Sequence, residues 1–243
     1  MITTTQDYKI TWEKLPKDYI LPDEPVDNIN QPSLAAALTE ILELAGKLPS
    51  NALSSTNYGI CATLNGKIVI KAPDWAYIPK IKVDREEVIR SYTPQLQGDI
   101  PCIVMEFISD TEGTEYSTKP TYPPGKWFFY ERILKVPNYI IFEPDTGNLE
   151  VYRLNTNTGL YALQDPHENQ FYWIEEMNLY LSVWEGFREN RAGKWLRWWD
   201  EQKNLLLWGL ELVEQERQQT EKERQRAEKL AAQLRLLGIN PED

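Results

Sequence analysis

The chain has 243 residues, a formal net charge of −11 and an aromatic content of 12%, including nine Trp and thirteen Tyr. That length accommodates one domain of ordinary size with an appended element, and so many aromatic residues exclude wholesale disorder. The charge weighs against a simple phosphate-binding surface, which displays a basic patch, and most of the acidity lies in residues 1–199, since from Asp200 onward ten acids face seven bases.

The N-terminal segment, Met1 to Asp7, lacks the basic start and apolar run of a secretory signal. No apolar stretch approaches the ~20 residues that cross a bilayer, so cytoplasmic residence without membrane contact is expected. Residues 1–30 are polar and punctuated by Pro16, Pro22 and Pro25, which predicts an irregular arm. Ser33 then stands as a helix cap before an apolar stripe of Leu34, Leu38, Ile41, Leu42 and Ala45, with Gly46 and Pro49 ending the helix. Tyr58–Leu64 and Lys67–Ile78 read as strands around Asn65-Gly66, a type I′ hairpin signal. A polar stretch from Lys80 to Asp99 has room for a short helix, and Cys102–Ser109 reads as a buried strand. Cys61 and Cys102 lie in such apolar runs and read as structural thiols.

A polar loop, Asp110 to Glu115, leads to Pro123-Pro124-Gly125 and a helix from Lys126 to Leu134 that must stop before Val136-Pro137. Tyr139–Phe142 and Leu149–Tyr152 form a strand pair around Asp145-Thr146-Gly147-Asn148. This order predicts an α/β sandwich with a mixed central sheet flanked by helices. Residues 160–208 read as short strands holding six of the tryptophans, with Trp195–Trp199 and Leu205–Trp208 paired as a hairpin. That aromatic group reads as a packing layer rather than a base-stacking platform. From Gly209 three heptads follow; their seam (Leu210, Val213, Arg217, Thr220, Arg224, Ala227, Ala231, Leu234) is apolar at both ends and polar in the middle. A solvated helix and a weak dimerising coiled coil fit equally, and Gly238 and Pro241 end it. The predicted organisation is an arm (1–30), a domain with a β-rich Trp-containing extension (31–208), and a charged helical tail (209–243).

The one histidine, His167, lies in a turn-like segment, and neither a phosphate-cradling Gly-rich loop nor a CxxC is present, which sets aside nucleotide hydrolysis and structural zinc. Two acids stand out instead. Asp74 and Glu106 occupy consecutive strand-like apolar runs, where a carboxylate is costly without compensation. Carboxylates about 5 Å apart repel by roughly 3 kcal/mol at an effective dielectric near 20, so either one takes up a proton or a cation lies between them. Mg2+ suits that place, because it commonly takes one or two carboxylates and keeps its remaining waters.

Pro73-Asp74, an acid in the next strand, then a lysine: this order resembles the PD-(D/E)XK nuclease superfamily. More narrowly, Lys71-Ala72-Pro73-Asp74, Glu106-Phe107-Ile108-Ser109, Lys126-Trp127-Phe128-Phe129-Tyr130 and Val136-Pro137-Asn138-Tyr139-Ile140-Ile141 resemble the Uma-type family of restriction-endonuclease-like proteins, over about Pro32 to Tyr152. The resemblance implies a restriction-endonuclease-like sheet, DNA as substrate, Mg2+ or Mn2+ as cofactor, Asp74 and Glu106 as metal ligands, and Lys126 as catalytic lysine. Ile108 holds the superfamily's usual lysine position, and Lys126 with Tyr130 matches the family's K-x-x-x-Y helix; Lys119 is the weaker substitute. Glu40 and Glu43 of the first helix, Tyr130 and Ser109 are candidate accessory residues. The two functional expectations are a metal-dependent DNA endonuclease and a catalytically weak nuclease-fold protein that recruits or dimerises through its core or C-terminal helix.

Overall fold

Alternating and continuous apolar runs become twelve strands among the described residues, and the structure is a computed structural model that describes residues 9–14, 16, 30–108 and 113–238. In chain order these are β1 (Ile10–Thr11), helix α1 (Asn30–Leu44), β2 (Leu53–Ser55), β3 (Ile60–Leu64), β4 (Lys67–Lys71), β5 (Trp75–Ile78) and β6 (Ile103–Phe107). Helix α2 (Lys126–Phe128) widens into a π-helical stretch, Phe129–Leu134, and is followed by β7 (Asn138–Glu143), β8 (Asn148–Asn155) and β9 (Leu160–Leu163). Then come β10 (Tyr172–Ile174), β11 (Leu179–Arg188), β12 (Arg191–Trp199) and helix α3 (Gly209–Leu236). Short 3-10 turns, including Arg85–Val88 in the Lys80–Asp99 stretch, connect them. Among the described residues no helix is long and apolar enough to cross a membrane.

The central sheet has the order β2-β5-β6-β7-β8-β9 and is mixed: β6 and β7 run parallel, and the other neighbours are antiparallel. Its two faces bury different partners. Ala76, Val104, Tyr139 and Ile141 pack against Phe128, Phe129, Tyr130, Ile133 and Leu134 of the α2 region. Trp75 points the other way, since successive strand residues alternate faces; its indole N–H donates to Thr39 Oγ1 of α1 at 3.0 Å, and its ring lies 6.1 Å from that of Trp198 on β12. The sheet is therefore sandwiched between α2 and a layer made of α1 and the β11–β12 hairpin.

Several local expectations are corrected. The run Lys67–Ile78 is two strands, not one: β4 pairs with β3 in a small sheet of order β1-β3-β4, whereas β5 joins the central sheet. Ala72-Pro73-Asp74 makes the break, because proline lacks the N–H that a continuous ladder needs. Asn65 and Gly66 both have positive φ, as a type I′ turn requires. Helix α1 starts at Asn30, so Ser33 lies inside its first turn and donates to Glu189 Oε2 at 2.6 Å instead of capping. The N-terminal arm contributes a strand, β1, paired with Thr63 and Leu64; its residues 1–8, 15 and 17–29 lie outside the described ones, as does Pro241. Trp195–Trp199 belongs to β12 and pairs with β11, and Leu205 adds only an isolated bridge to Trp199.

The tryptophan-rich segment is largely interior: Trp195 and Trp198 are buried, and the fully buried Arg197 holds its guanidinium over the Trp184 ring and donates to Leu206 O at 2.9 Å. Cys61 and Cys102 are buried free thiols whose pKa values burial pushes up to about 11 and about 12, so neither is a ready nucleophile.

The chain divides into two compact units, Met1–Leu206 and Leu207–Asp243. In the second, Glu211 accepts the Trp208 backbone N–H at 2.8 Å at the start of α3, and Gly238 with φ +77 follows its last turn. No residue of α3 is buried, and charged pairs such as Arg217–Glu214 and Arg224–Glu228 line it.

Candidate active site

The register of the central sheet brings the two predicted acids together. Trp75 pairs with Met105 and Ala76 with Val104 in the antiparallel β5–β6 ladder. One further step places Asp74 opposite Glu106 on the face that α2 covers, and side chains directly opposite in such a pair are close neighbours. Asp74 Oδ2 accepts the Phe107 backbone N–H at 2.6 Å, which ties the end of the Pro73-Asp74 break to β6.

Helix α2 supplies two donors on one turn. Lys126 and Tyr130, four residues apart and hence on one helix face, both reach Glu106: Lys126 Nζ donates to Oε2 at 3.0 Å, and the Tyr130 hydroxyl to Oε1 at 3.2 Å. Both oxygens of this fully buried carboxylate are thus engaged. Local sequence fixes the helix start. Gly125 precedes it in extended backbone, and a Cβ there would lie 2.0 Å from Ser117 O, so glycine permits the loop to press against the helix. Trp127 then packs edge-on against Tyr139, Tyr152 and Tyr161, and Lys135 in left-handed backbone closes the π-helical turn. A π-helical segment next to polar interior groups is a recurrent feature of functional sites.

The group is short of positive charge. Burial is the main cause that pushes Asp74 up to about 6, against the Phe107 N–H and Lys126, which favour its ionised form. Burial likewise pushes Glu106 up to about 8, with Lys126 opposing and Asp74 reinforcing. Burial alone would lower the Lys126 pKa, but Glu106, Glu115 and Asp74 together hold it above its ordinary value, so the ammonium stays charged. Tyr130 is held well above the usual phenol range by burial and by Glu106, and it remains a proton donor.

Two residues that the sequence reading missed complete the arrangement. Glu115 brings Oε1 to 3.6 Å from Lys126 Nζ, and its backbone carbonyl accepts the Tyr139 hydroxyl at 2.9 Å. Gln31, in the first turn of α1, donates to Phe107 O at 2.7 Å and so braces the end of β6, on the carbonyl side of the residue whose N–H holds Asp74. Of the first-helix acids expected as accessory residues, Glu40 faces Arg188 of β11 at 2.7 Å and Glu43 is exposed, so neither joins the buried group. Ser109 lies outside the described residues, Ile108 packs against the apolar cluster, and Lys119 lies in the loop before Gly125. His167 is exposed beside the Tyr180 ring. A cavity of about 640 Å³, lined by Asn30, Asp145, Arg191, Lys194 and Trp195 among others, includes none of the acid–lysine group.

The comparison with protein families rests on the same segment. The Uma2 family model, described as "Putative restriction endonuclease", matches residues 27–184, well over half of the chain. The chain belongs to that family. Its mixed α/β architecture is the restriction-endonuclease-like fold, and Asp74, Glu106 and Lys126 all fall inside the matched residues, whereas β12 and α3 fall beyond them. No curated protein matches the chain.

Among the described residues no three His, Cys, Asp or Glu converge to hold a metal on their own. The donor set still fits a hard divalent cation. Its groups are carboxylate oxygens, which suit Mg2+ or Mn2+, and Mg2+ needs only one or two of them beside its waters. Among the described residues three carboxylates (Asp74, Glu106, Glu115) against one ammonium leave two formal negative charges, the deficit that a dication balances. One Glu115 oxygen, Oε2, is buried with no hydrogen-bond partner among the described residues, a further sign of uncompensated charge.

Proposed function

We propose that this protein is a divalent-cation-dependent endonuclease that hydrolyses phosphodiester bonds in DNA. The observation that carries the reading is the meeting of Asp74, Glu106 and Lys126, with Lys126 Nζ 3.0 Å from Glu106 Oε2, inside the segment matched by a restriction-endonuclease family. Asp74 and Glu106 would hold Mg2+ or Mn2+, which when bound lowers the pKa of a coordinated water and polarises the phosphoryl oxygen.

The chain's own groups account for the rest. The Phe107 N–H fixes the Asp74 carboxylate, and Tyr130 fixes one oxygen of Glu106, so both acids are preorganised rather than recruited. Lys126, partly exposed at 22% of its side chain, carries the one flexible cation of the group and steadies the scissile phosphate or orients the attacking water. Gln31 holds the end of β6 to α1, and the packing of Trp127 on Tyr152 holds the helix start to the central sheet.

The test is the nicking of supercoiled plasmid with Mg2+ or Mn2+ by the wild-type chain and by Asp74→Ala purified in parallel. Nicking that requires the cation and is abolished by the substitution is the expected result. Equal nicking by both proteins, or none by the wild type with either cation, overturns the reading.

A further inference from the structure

A cation that takes Glu106 has to displace something. Glu106 Oε1 is held by the buried Tyr130 hydroxyl, whereas Oε2 is held by Lys126, whose four-carbon stem can turn. A second positive charge arriving at Oε2 repels the ammonium. Among the described residues the other acid paired with Lys126 is Glu115: its Oε1 already lies 3.6 Å from Nζ, its side chain is only 14% exposed, and its Oε2 is buried with no hydrogen-bond partner there. Glu115 is also tethered. Tyr139, rooted in the central sheet, donates its hydroxyl to the Glu115 carbonyl, and the neighbouring Tyr116 stacks on Trp127 at 6.3 Å between ring centroids. A mostly covered acid with a spare oxygen, 3.6 Å from a lysine it only half engages, is placed to receive that lysine.

We propose that Glu115 is the positioning residue for Lys126, receiving its ammonium when a divalent cation occupies Asp74 and Glu106. This deepens the nuclease reading and rests on it. In the metal-free state Lys126 donates to Glu106 Oε2. On cation binding it shifts by one partner, from Glu106 Oε2 to Glu115, and stays beside the cation instead of swinging into solvent. Glu115 touches neither substrate nor metal; it acts through Lys126 alone.

That dependence on Lys126 separates the idea from a general effect of negative charge. The experiment is calorimetric titration of Mn2+ alone, without DNA, into the full chain as wild type, Glu115→Gln, Lys126→Met and the double variant, with Asp74→Asn as the control for the site. With Lys126 present, Glu115→Gln strands the ammonium on Glu106, where it competes with the ion, and Mn2+ affinity is expected to fall on the order of tenfold, a coupling of ordinary size for groups in one network. With Lys126→Met the competitor is gone, and Glu115→Gln is expected to change affinity by less than about threefold. Glu115→Asp, which keeps the charge, recovers part of the loss. An equal fall in both backgrounds, or no fall in either, overturns the proposal while leaving the cation site intact. A wild-type chain that binds no Mn2+ sinks the nuclease reading itself, and this inference with it. Urea midpoints of the variants show whether each is folded, and a Glu115→Gln chain that fails to fold hands the test to Glu115→Ala, for which unchanged affinity overturns the role.

Discussion

Raising the pH from about 5 to about 8 in the absence of metal is expected to destabilise the folded chain, with Glu106 as the main source. An acid whose folded pKa exceeds its unfolded value holds an extra proton in the folded state across that interval. Its contribution is complete at the acid end and is lost as pH rises through the folded value. Burial lifts Glu106 from an ordinary 4.5 to about 8, and Asp74 from 3.8 to about 6. One such group changes stability by at most ~1.4 kcal/mol per pH unit, so Glu106 alone accounts for roughly 4 kcal/mol over this window, and Asp74 adds about 1 kcal/mol at its lower end. Lys126 does not offset this: its raised value keeps its contribution constant until pH passes its ordinary 10.5. Glu189 and Asp200, held below their ordinary values mainly by hydrogen bonds from Ser33 and Asn204, lose stability only in more acidic solution. The assay is urea unfolding in EDTA, followed by tryptophan fluorescence, for wild type and Glu106→Gln at several pH values. Glutamine keeps the shape of the side chain and cannot ionise, so the variant's advantage over wild type should grow steadily with pH. A difference that is the same at pH 5 and pH 8 would refute the charge argument.

Three further outcomes follow from the same geometry. Tyr130→Phe removes the donor to a buried carboxylate oxygen and should cost about 1–3 kcal/mol in urea unfolding at pH 8; a neutral result would show that Glu106 does not need it. Gly125→Ala places a Cβ 2.0 Å from a backbone oxygen and should destabilise the fold by about 1–3 kcal/mol while displacing Lys126, which a joint loss of stability and plasmid nicking would report. A peptide spanning residues 207–238 should show helix content by circular dichroism that falls with added salt, because its exposed Arg–Glu pairs are screened, and that does not depend on peptide concentration. Helicity rising with concentration would instead mark a dimerising coil.

Asp74 and Glu106 stood out as acids in strand-like apolar runs, Lys126 and Tyr130 were singled out by the family resemblance, and two short-range rules account for their meeting in the structure. Strand alternation sets which face an acid occupies, and a spacing of four on a helix puts a lysine and a tyrosine side by side. What depends on long-range geometry was not legible. Glu115 reads as one more acid in a polar loop, and its place beside Lys126 goes with a tie to Tyr139 that no local pattern announces. The first-helix glutamates looked available by type, yet the helix turns Glu40 toward Arg188, and it is Gln31, a residue of no obvious chemistry, that reaches the site's strand. The division of Lys67–Ile78 between two sheets was masked by continuous apolar composition, although Pro73 marked the break. The partner of β12 was misjudged because its turn, Glu189-Asn190, has positive φ at both positions and so uses a glutamate where glycine or asparagine is the usual signal. The tail was readable as a helix from its heptads and caps, but its polar seam left its partner open.

The most direct measurement is anomalous diffraction from crystals of the full chain soaked in Mn2+. The account predicts one peak within coordination distance of oxygens from both Asp74 and Glu106, with the Lys126 ammonium moved off Glu106 Oε2. A map without a peak there, or one in which Lys126 still holds Glu106 at its 3.0 Å separation while manganese binds elsewhere, would contradict it.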